Sequence, residues 1–235
     1  MGDPAAQRLL FMKDRTMYRA LPYIAPFATF LLFLCIRGYL PFGLAIEYPL
    51  RVVVVAGVFL IFSKEAVHWC PSRVPASILI GIAVFVFWIV PDLVWPGLRR
   101  HWLFTNALLG SPGNQHPGSL ASDSLFLASR IIGTAALVPL IEELFWRAWL
   151  MRYLISSNFE KVPLGSFTAL SFTLTAVLFA SEHGSYWEVG LLAGIAYNLC
   201  MIRTKNLADC IIAHGVTNLC LAIYVLSTNQ WHYWL

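Results

Sequence analysis

Long apolar runs separated by short polar segments dominate the chain. Most of the runs approach the roughly 20 residues that an α-helix needs to cross a bilayer. Read between charges and turn-forming residues, the pattern predicts seven spans, at about residues 21–36, 48–62, 74–94, 125–155, 165–180, 189–202 and 207–226. The chain has room for seven or eight such helices and little else.

The longest polar stretch, residues 96–124, separates the third span from the fourth and reads as a loop. A short interfacial helix is expected within it, at about residues 99–109. Three prolines fall inside spans, at Pro22, Pro26 and Pro139, and they predict kinks that neighbouring helices accommodate.

Composition explains why these runs must meet lipid. The chain is 59% hydrophobic and 12% charged, against roughly 45–50% and 25% in ordinary soluble domains. A single soluble core of this length cannot hide that much apolar surface. We therefore predict one all-α membrane domain over residues 1–235, a polytopic bundle of transmembrane helices. The five cysteines form no CxxC pair, and four of them lie within or close to apolar segments, where we expect small core residues.

Basic residues predict the orientation. Residues 1–20 are polar and should be a cytoplasmic N-terminal segment, followed by an uncleaved signal anchor. With this segment inside, ten Lys and Arg residues lie on the cytoplasmic side and five on the other, as the positive-inside rule requires. Residues 231–234 would then form an aromatic anchor at the far interface. The basic residues are scattered, which excludes a nucleic-acid surface.

One acidic pair interrupts the fourth apolar run. Ionisable groups inside a bilayer are costly, so they mark candidate functional sites. Glu143 and Arg147 are four residues apart, in the favourable orientation for an ion pair on a helix. That pair would leave Glu142, about 100° around the helix, without a partner and suited to be a general base. The alternative is that these charges lie in water at the cytoplasmic end of the helix.

Two further polar sites follow. His183 lies four residues after Phe179 at the end of the fifth run, beside a Glu182 that we expect to be solvated. His214 and Asn218 are four residues apart on the seventh. Taken singly, they are an interfacial histidine and a polar contact between helices. Taken with Glu142, they supply what amide hydrolysis needs, which is a base, a proton shuttle and oxyanion donors.

These residues carry a family resemblance. The motifs are EExxxR, FxxxH and HxxxN, formed by Glu142, Glu143 and Arg147, by Phe179 and His183, and by His214 and Asn218. In this order and spacing, about residues 138–221 resemble the CAAX prenyl protease and bacteriocin-processing family of intramembrane proteases, the Ras-converting type. The short, loop-poor chain is similar to the subgroup found in bacteria with exosortase-type protein sorting. The resemblance implies a helical bundle in the bacterial inner membrane, with a water-filled cavity open toward the cytoplasm.

The resemblance also implies roles. Glu142 would activate the attacking water, and His183 would hold that water or share its proton. His214 and Asn218 would stabilise the oxyanion. The remaining motif residues would fix the geometry of the glutamate helix and support the site, and they are Glu143, Arg147 and Phe179.

Whether the site holds a metal is left open by the residues. The family has been described both as metalloproteases and as metal-free glutamate proteases. Zinc could use Glu142, His183 and His214, whereas the lack of an HExxH motif favours metal-free hydrolysis. The predicted spans also place His183 near the far end of its helix. It meets Glu142 only if the fourth helix extends beyond the bilayer or the fifth starts below it.

Three functions compete at this point. The first is an endopeptidase that cuts near the C-terminus of a membrane-associated protein or peptide. The second is a non-catalytic scaffold or bacteriocin-immunity-type protein of the same fold, and the third is an ion-coupled transporter, for which the chain lacks the expected repeat. Gly190 and Gly194 form a small-xxx-small motif, which serves either dimerisation or packing within the bundle. The oligomeric state and substrate stay open.

Overall fold

The structure is a computed structural model that describes residues 4–106 and 117–234, with side chains from residue 18 onward. Within these residues the chain forms seven helices and no strand. They are α1 (Pro4–Ile36), α2 (Leu44–Phe62), α3 (Val74–Val94), α4 (Ser124–Tyr153), α5 (Ala169–Ser181), α6 (Trp187–Thr204) and α7 (Leu207–Thr228). The predicted all-α bundle is confirmed.

Five of these helices are long and apolar enough to cross a membrane, namely α1 from Tyr18 onward, α2, α3, α4 and α7. Helix α5 is apolar but has only 13 residues. It begins four residues later than the sequence predicts, because Gly165 has a φ of +76° and Thr168 caps the helix in a capping box with Ser171. Helix α6 is longer than predicted and includes Glu188 and Arg203 near its two ends.

Two other predicted boundaries need correction. Helix α2 begins at Leu44, because Glu47 and Arg51 pair at 3.2 Å within it and so do not end it. The interfacial helix expected from residue 99 is reduced to a single 3-10 turn, Leu98–Arg100. The Thr105 hydroxyl then donates to the Arg99 carbonyl and folds the chain back. Residues 107–116 of the predicted loop lie outside the described residues.

Contacts between helix ends show that α3 and α7 run in the same direction and α4 in the opposite one. Asp209, at the start of α7, accepts hydrogen bonds from the backbone N–H groups of Ser72 and Arg73 at 2.9 and 3.0 Å, just before and at the cap of α3. At the other end of the bundle, Arg130 near the start of α4 donates to the carbonyl of Trp234. Which end faces the cytoplasm stays a prediction.

The C-terminal aromatic residues pack on the bundle. Trp231 and Trp234 are each 7% exposed, and they pack against Ala222 and Val225 of α7 and against Leu127 of α4. This packing buries the large indole surfaces. That the segment lies at the membrane interface stays a prediction.

Glycines set the closest helix approaches. A Cβ atom on Gly81 of α3 would lie 2.4 Å from the Ala213 carbonyl oxygen of α7. In α6, a Cβ atom on Gly190 would lie 2.9 Å from the His183 ring, and one on Gly194 would lie 3.1 Å from the Ala176 carbonyl oxygen of α5. The small-xxx-small motif therefore packs within its own bundle.

We expect Gly81→Ala to destabilise the protein, since the new methyl group meets backbone on α7. Overpacking of this kind costs about 1–3 kcal/mol. The matched control is Gly57→Ala in α2, where a Cβ atom has no neighbour within 4 Å. Thermal unfolding of the two variants in detergent tests this expectation, and equal midpoints for both would contradict it.

Candidate active site

The acidic pair lies on an irregular part of α4. Two π-helical segments, Gly133–Leu137 and Leu144–Leu150, bracket the regular turns Val138–Glu143. Single π turns within α-helices occur frequently at functional sites. Here they widen the helix on both sides of Glu142 and Glu143, and so set the direction of both side chains.

The first π segment explains the position of Asn218. The N–H of Val138 bonds to the Gly133 carbonyl, and Pro139 has no N–H to donate. Neither usual helical donor is thus available for the Thr134 carbonyl. The Asn218 side-chain nitrogen donates to it at 2.8 Å, which ties α7 to α4 and fixes the orientation of the amide. The second N–H of that nitrogen has no partner among the described residues, and Asn218 lines the cavity described below.

Glu143 is the centre of the buried polar network. Its Oε1 accepts a hydrogen bond from Arg147 Nη1 at 2.9 Å, so the expected ion pair is present, and both side chains are fully buried. The same oxygen accepts from Nδ1 of His214, also at 2.9 Å. Because Nδ1 donates, Nε2 of His214 is left to face the other glutamate.

Arg147 reaches the two helices on its other side. Its Nε donates to Asn198 Oδ1 at 3.1 Å, and the Asn198 nitrogen donates to the Phe172 carbonyl of α5 at 3.0 Å. The guanidinium lies 4.4 Å from the centre of the Phe179 ring, and Nη2 approaches the Gly194 carbonyl at 3.4 Å. The phenylalanine of the FxxxH motif is therefore the surface on which the arginine rests.

Glu142 lacks these partners. Its Oε2 is buried and makes no hydrogen bond within the described part of the chain, and the nearest basic atom is Nε2 of His214 at 3.9 Å. Glu142, Glu143 and Arg147 together carry one excess negative charge, and the carboxylate of Glu182 lies near enough to Glu142 to add to it.

His183 lies in the turn that follows α5. Its Nδ1 donates to the Phe179 carbonyl at 2.7 Å, which leaves Nε2 as an acceptor. The ring packs edge-on against Trp88 with centroids 5.3 Å apart, and Gly190 leaves room on its other side. Glu182 is exposed, and its carboxylate lies near enough to Glu142 and Arg147 to interact electrostatically with both.

One cavity brings the candidate residues together. It encloses about 110 Å³, enough for several water molecules. The four polar residues singled out as catalytic candidates line it, along with Trp88, Val138, Phe179, Ala193, Tyr197 and Thr217. These four are Glu142, His183, His214 and Asn218.

Helix lengths explain how His183 reaches the others. At 1.5 Å per residue, α4 is about 45 Å long and α5 about 20 Å, against roughly 30 Å for the hydrocarbon core. Helix α4 is thus longer than the hydrocarbon core of the bilayer. This meets one of the two conditions under which His183 can reach Glu142. The brevity of α5 places its end, and His183 after it, at the depth of Glu142.

Sequence reasoning misses three supporting residues. Tyr197 stacks on His214, with ring centroids 4.8 Å apart, and its hydroxyl donates to Thr217 at 2.7 Å. Thr217 in turn donates to the Gly81 carbonyl at 2.9 Å. Asn198, the partner of Arg147, is a polar residue inside an apolar run, and this pattern could have identified it from the sequence. Nothing in the sequence distinguishes Tyr197.

The arrangement does not fit a zinc site. Among residues 4–106 and 117–234, no group of three or more His, Cys, Asp or Glu side chains is placed to share a metal ion.

Fold and site together define an integral membrane helical bundle with a buried glutamate–histidine centre. The resemblance noted above is confirmed by the family model of the Rce1-like type II CAAX prenyl endopeptidases, which matches residues 124–220. The match runs from the start of α4 into α7, and it contains all three motifs. Neither a curated protein nor a solved structure matches the chain. The exosortase-associated subgroup stays a prediction.

We expect Arg147→Met to lower the free energy of unfolding by about 3–5 kcal/mol, because it leaves the fully buried Glu143 charge uncompensated. The double variant Glu143→Gln/Arg147→Met should lose less than the sum of the two single changes. Arg203→Met, on an exposed arginine of α6, is the control and should change little. Unfolding in detergent measures all four, and additive losses would refute the coupling.

Proposed function

We propose that the protein is an intramembrane endopeptidase that hydrolyses a peptide bond near the C-terminus of a membrane-associated protein or peptide. One observation carries this proposal. Four polar side chains from α4, α7 and the turn after α5 line a single buried cavity that can hold water. The family match over residues 124–220 supports the same reaction class.

Glu142 is the proposed general base. Its unbonded Oε2 takes a proton from a water molecule in the cavity while the water oxygen attacks the scissile carbonyl carbon. Nε2 of His183, the free acceptor of that ring, holds the same water in place. The proton then passes from Glu142 to the leaving nitrogen as the C–N bond breaks.

The oxyanion needs donors on the opposite wall. His214, when protonated at Nε2, and the free N–H of Asn218 are the proposed donors. Glu143 orients His214 through Nδ1 and stabilises its positive charge, and the bond from Asn218 to the Thr134 carbonyl keeps the amide from rotating. Glu143 and Arg147 thus act through other residues, as positioning groups.

Substrate entry requires movement. A volume of about 110 Å³ is below the roughly 300–1,000 Å³ of pockets that enclose a ligand. A peptide therefore reaches the site only when wall residues move aside. Trp88, which contacts the His183 ring, is one of these wall residues.

The proposed location is the bacterial inner membrane, with the N-terminus in the cytoplasm. The ten-to-five distribution of basic residues over the two ends of the bundle supports this orientation. CAAX cleavage is not part of this proposal, because bacteria without prenylated proteins need a substrate other than a CAAX sequence.

The first functional test is Glu142→Gln in the native host, with membrane-protein termini measured by mass spectrometry. We expect processing of a defined set of C-termini to fall by at least roughly a hundredfold, the usual contribution of a general base. Glu160→Gln is the matched control, because Glu160 is exposed and pairs only with Arg19 at the surface of the bundle.

The opposite outcome is equally informative. If no terminus changes in Glu142→Gln while deletion of the gene has a phenotype, the protein is not a protease with this site, and the non-catalytic scaffold is favoured. Protein levels of both variants in the membrane are compared with wild type, so that loss of the protein is not mistaken for loss of catalysis.

A second test moves His183 without replacing it. Gly190→Ala places a methyl group 2.9 Å from the histidine ring, which must shift. We expect processing to fall at least roughly tenfold, because misplacement of this order affects rates strongly. Gly57→Ala is again the control. Wild-type processing by Gly190→Ala, with the protein folded, would show that the position of His183 is unimportant.

A further inference from the structure

A second cavity lies at the end of the bundle where α1 ends and α2 and α4 begin. It encloses about 330 Å³, and its wall includes Arg37, Arg51 and Arg130 together with Glu47 and Tyr48. We call it the arginine pocket. It shares no lining residue with the candidate active site. Arg130 precedes Glu142 by 12 residues on α4, or about 18 Å along the helix.

The arginine pocket carries excess positive charge. Glu47 pairs with Arg51, and both side chains are at most 3% exposed. Arg37 and Arg130 have no carboxylate partner in the described part of the chain, and both lie near enough to Arg51 to repel it. Two positive charges are therefore uncompensated at this end of the described chain, one on the exposed Arg37 and one on the half-buried Arg130.

Several polar atoms of the arginine pocket also lack hydrogen-bond partners among the described residues. Nε of Arg51, Nε of Arg130 and Oε1 of Glu47 are buried and have no partner among the described residues. Both guanidinium groups lie over the ring of Tyr48, at 4.5 and 4.7 Å from its centre. An anion that accepts from both arginines, with a nearby hydroxyl that donates to Glu47, fits this set.

Guanidinium groups bind phosphate, as they bind carboxylate, through parallel N–H···O bonds. The position of the pocket favours a lipid as its source, because it lies at the ends of membrane-spanning helices. On the same turns of α2, Ile46 and Leu50 are 59% and 40% exposed and offer an apolar surface for an acyl chain. A volume of about 330 Å³ also suits a headgroup.

We propose that the arginine pocket binds the phosphate headgroup of an anionic membrane lipid, with Arg37, Arg51 and Arg130 around the phosphate and Glu47 accepting from a headgroup hydroxyl. This site is separate from the proposed proteolytic centre and does not depend on it. Basic pockets between membrane helices are a known means of lipid-headgroup recognition.

The test uses the full-length protein purified in detergent. Phosphatidylglycerol, phosphatidylcholine and sodium phosphate are added separately, and bound lipid is counted by native mass spectrometry while thermal unfolding is followed in parallel. We expect phosphatidylglycerol to bind and to raise the unfolding midpoint, and the other two additives to do so far less. Arg37→Gln should weaken phosphatidylglycerol binding roughly tenfold, the usual effect of losing one charge-assisted hydrogen bond.

Arg37 is the residue to change first, because it is exposed and has no ion pair within the described residues, so its loss should leave the fold intact. Arg100→Gln, on an exposed arginine outside the pocket, is the matched control and should bind like wild type. Equal binding of phosphatidylglycerol and phosphatidylcholine, or unchanged binding by Arg37→Gln, would overturn the proposal. If sodium phosphate alone raises the unfolding midpoint and phosphatidylglycerol has no further effect, the bound phosphate does not come from a lipid and the proposal is wrong.

Discussion

A single carboxylate oxygen, Oε1 of Glu143, determines how the second half of the protein is arranged. It accepts hydrogen bonds from Arg147 on its own helix and from His214 on α7, each at 2.9 Å. Arg147 extends the network to Asn198 on α6 and rests on Phe179 of α5. Because a buried charge without its partner costs several kcal/mol, these four helices are constrained together. Glu142 lacks such partners for the same reason, because Arg147 and Nδ1 of His214 donate to Glu143 instead.

Much of this could be predicted from the sequence because it depends on local spacing. Apolar runs of span length predict the helices, and the four-residue separation of Glu143 and Arg147 predicts their pair whatever surrounds them. The partnerless state of Glu142 follows from the same helical geometry. The motif residues are recognisable in the sequence because they are polar residues within apolar runs, where polar groups are costly. Each of these inferences uses only residues a few positions apart.

What the sequence could not predict depends on contacts between distant segments or on irregular backbone. Asn218 looks like a free amide until the π segment and Pro139 deprive the Thr134 carbonyl of a helical donor. The start predicted for α5 is four residues too early, because a capping box and not hydrophobicity determines where that helix begins. The burial of Trp231 and Trp234 is decided by the tertiary packing of α4 and α7.

The short α5 also has a consequence for the surrounding membrane. Thirteen residues rise about 20 Å, roughly 10 Å less than the hydrocarbon core of a typical bilayer. Lipids beside this helix must shorten their reach or tilt, and such mismatch is relieved by local thinning at a cost of fractions of a kcal/mol per Å. In a bilayer of that thickness the water interface would be drawn toward the turn that holds His183. A polar segment that left the aqueous phase at this point would cross less hydrocarbon than beside the longer helices.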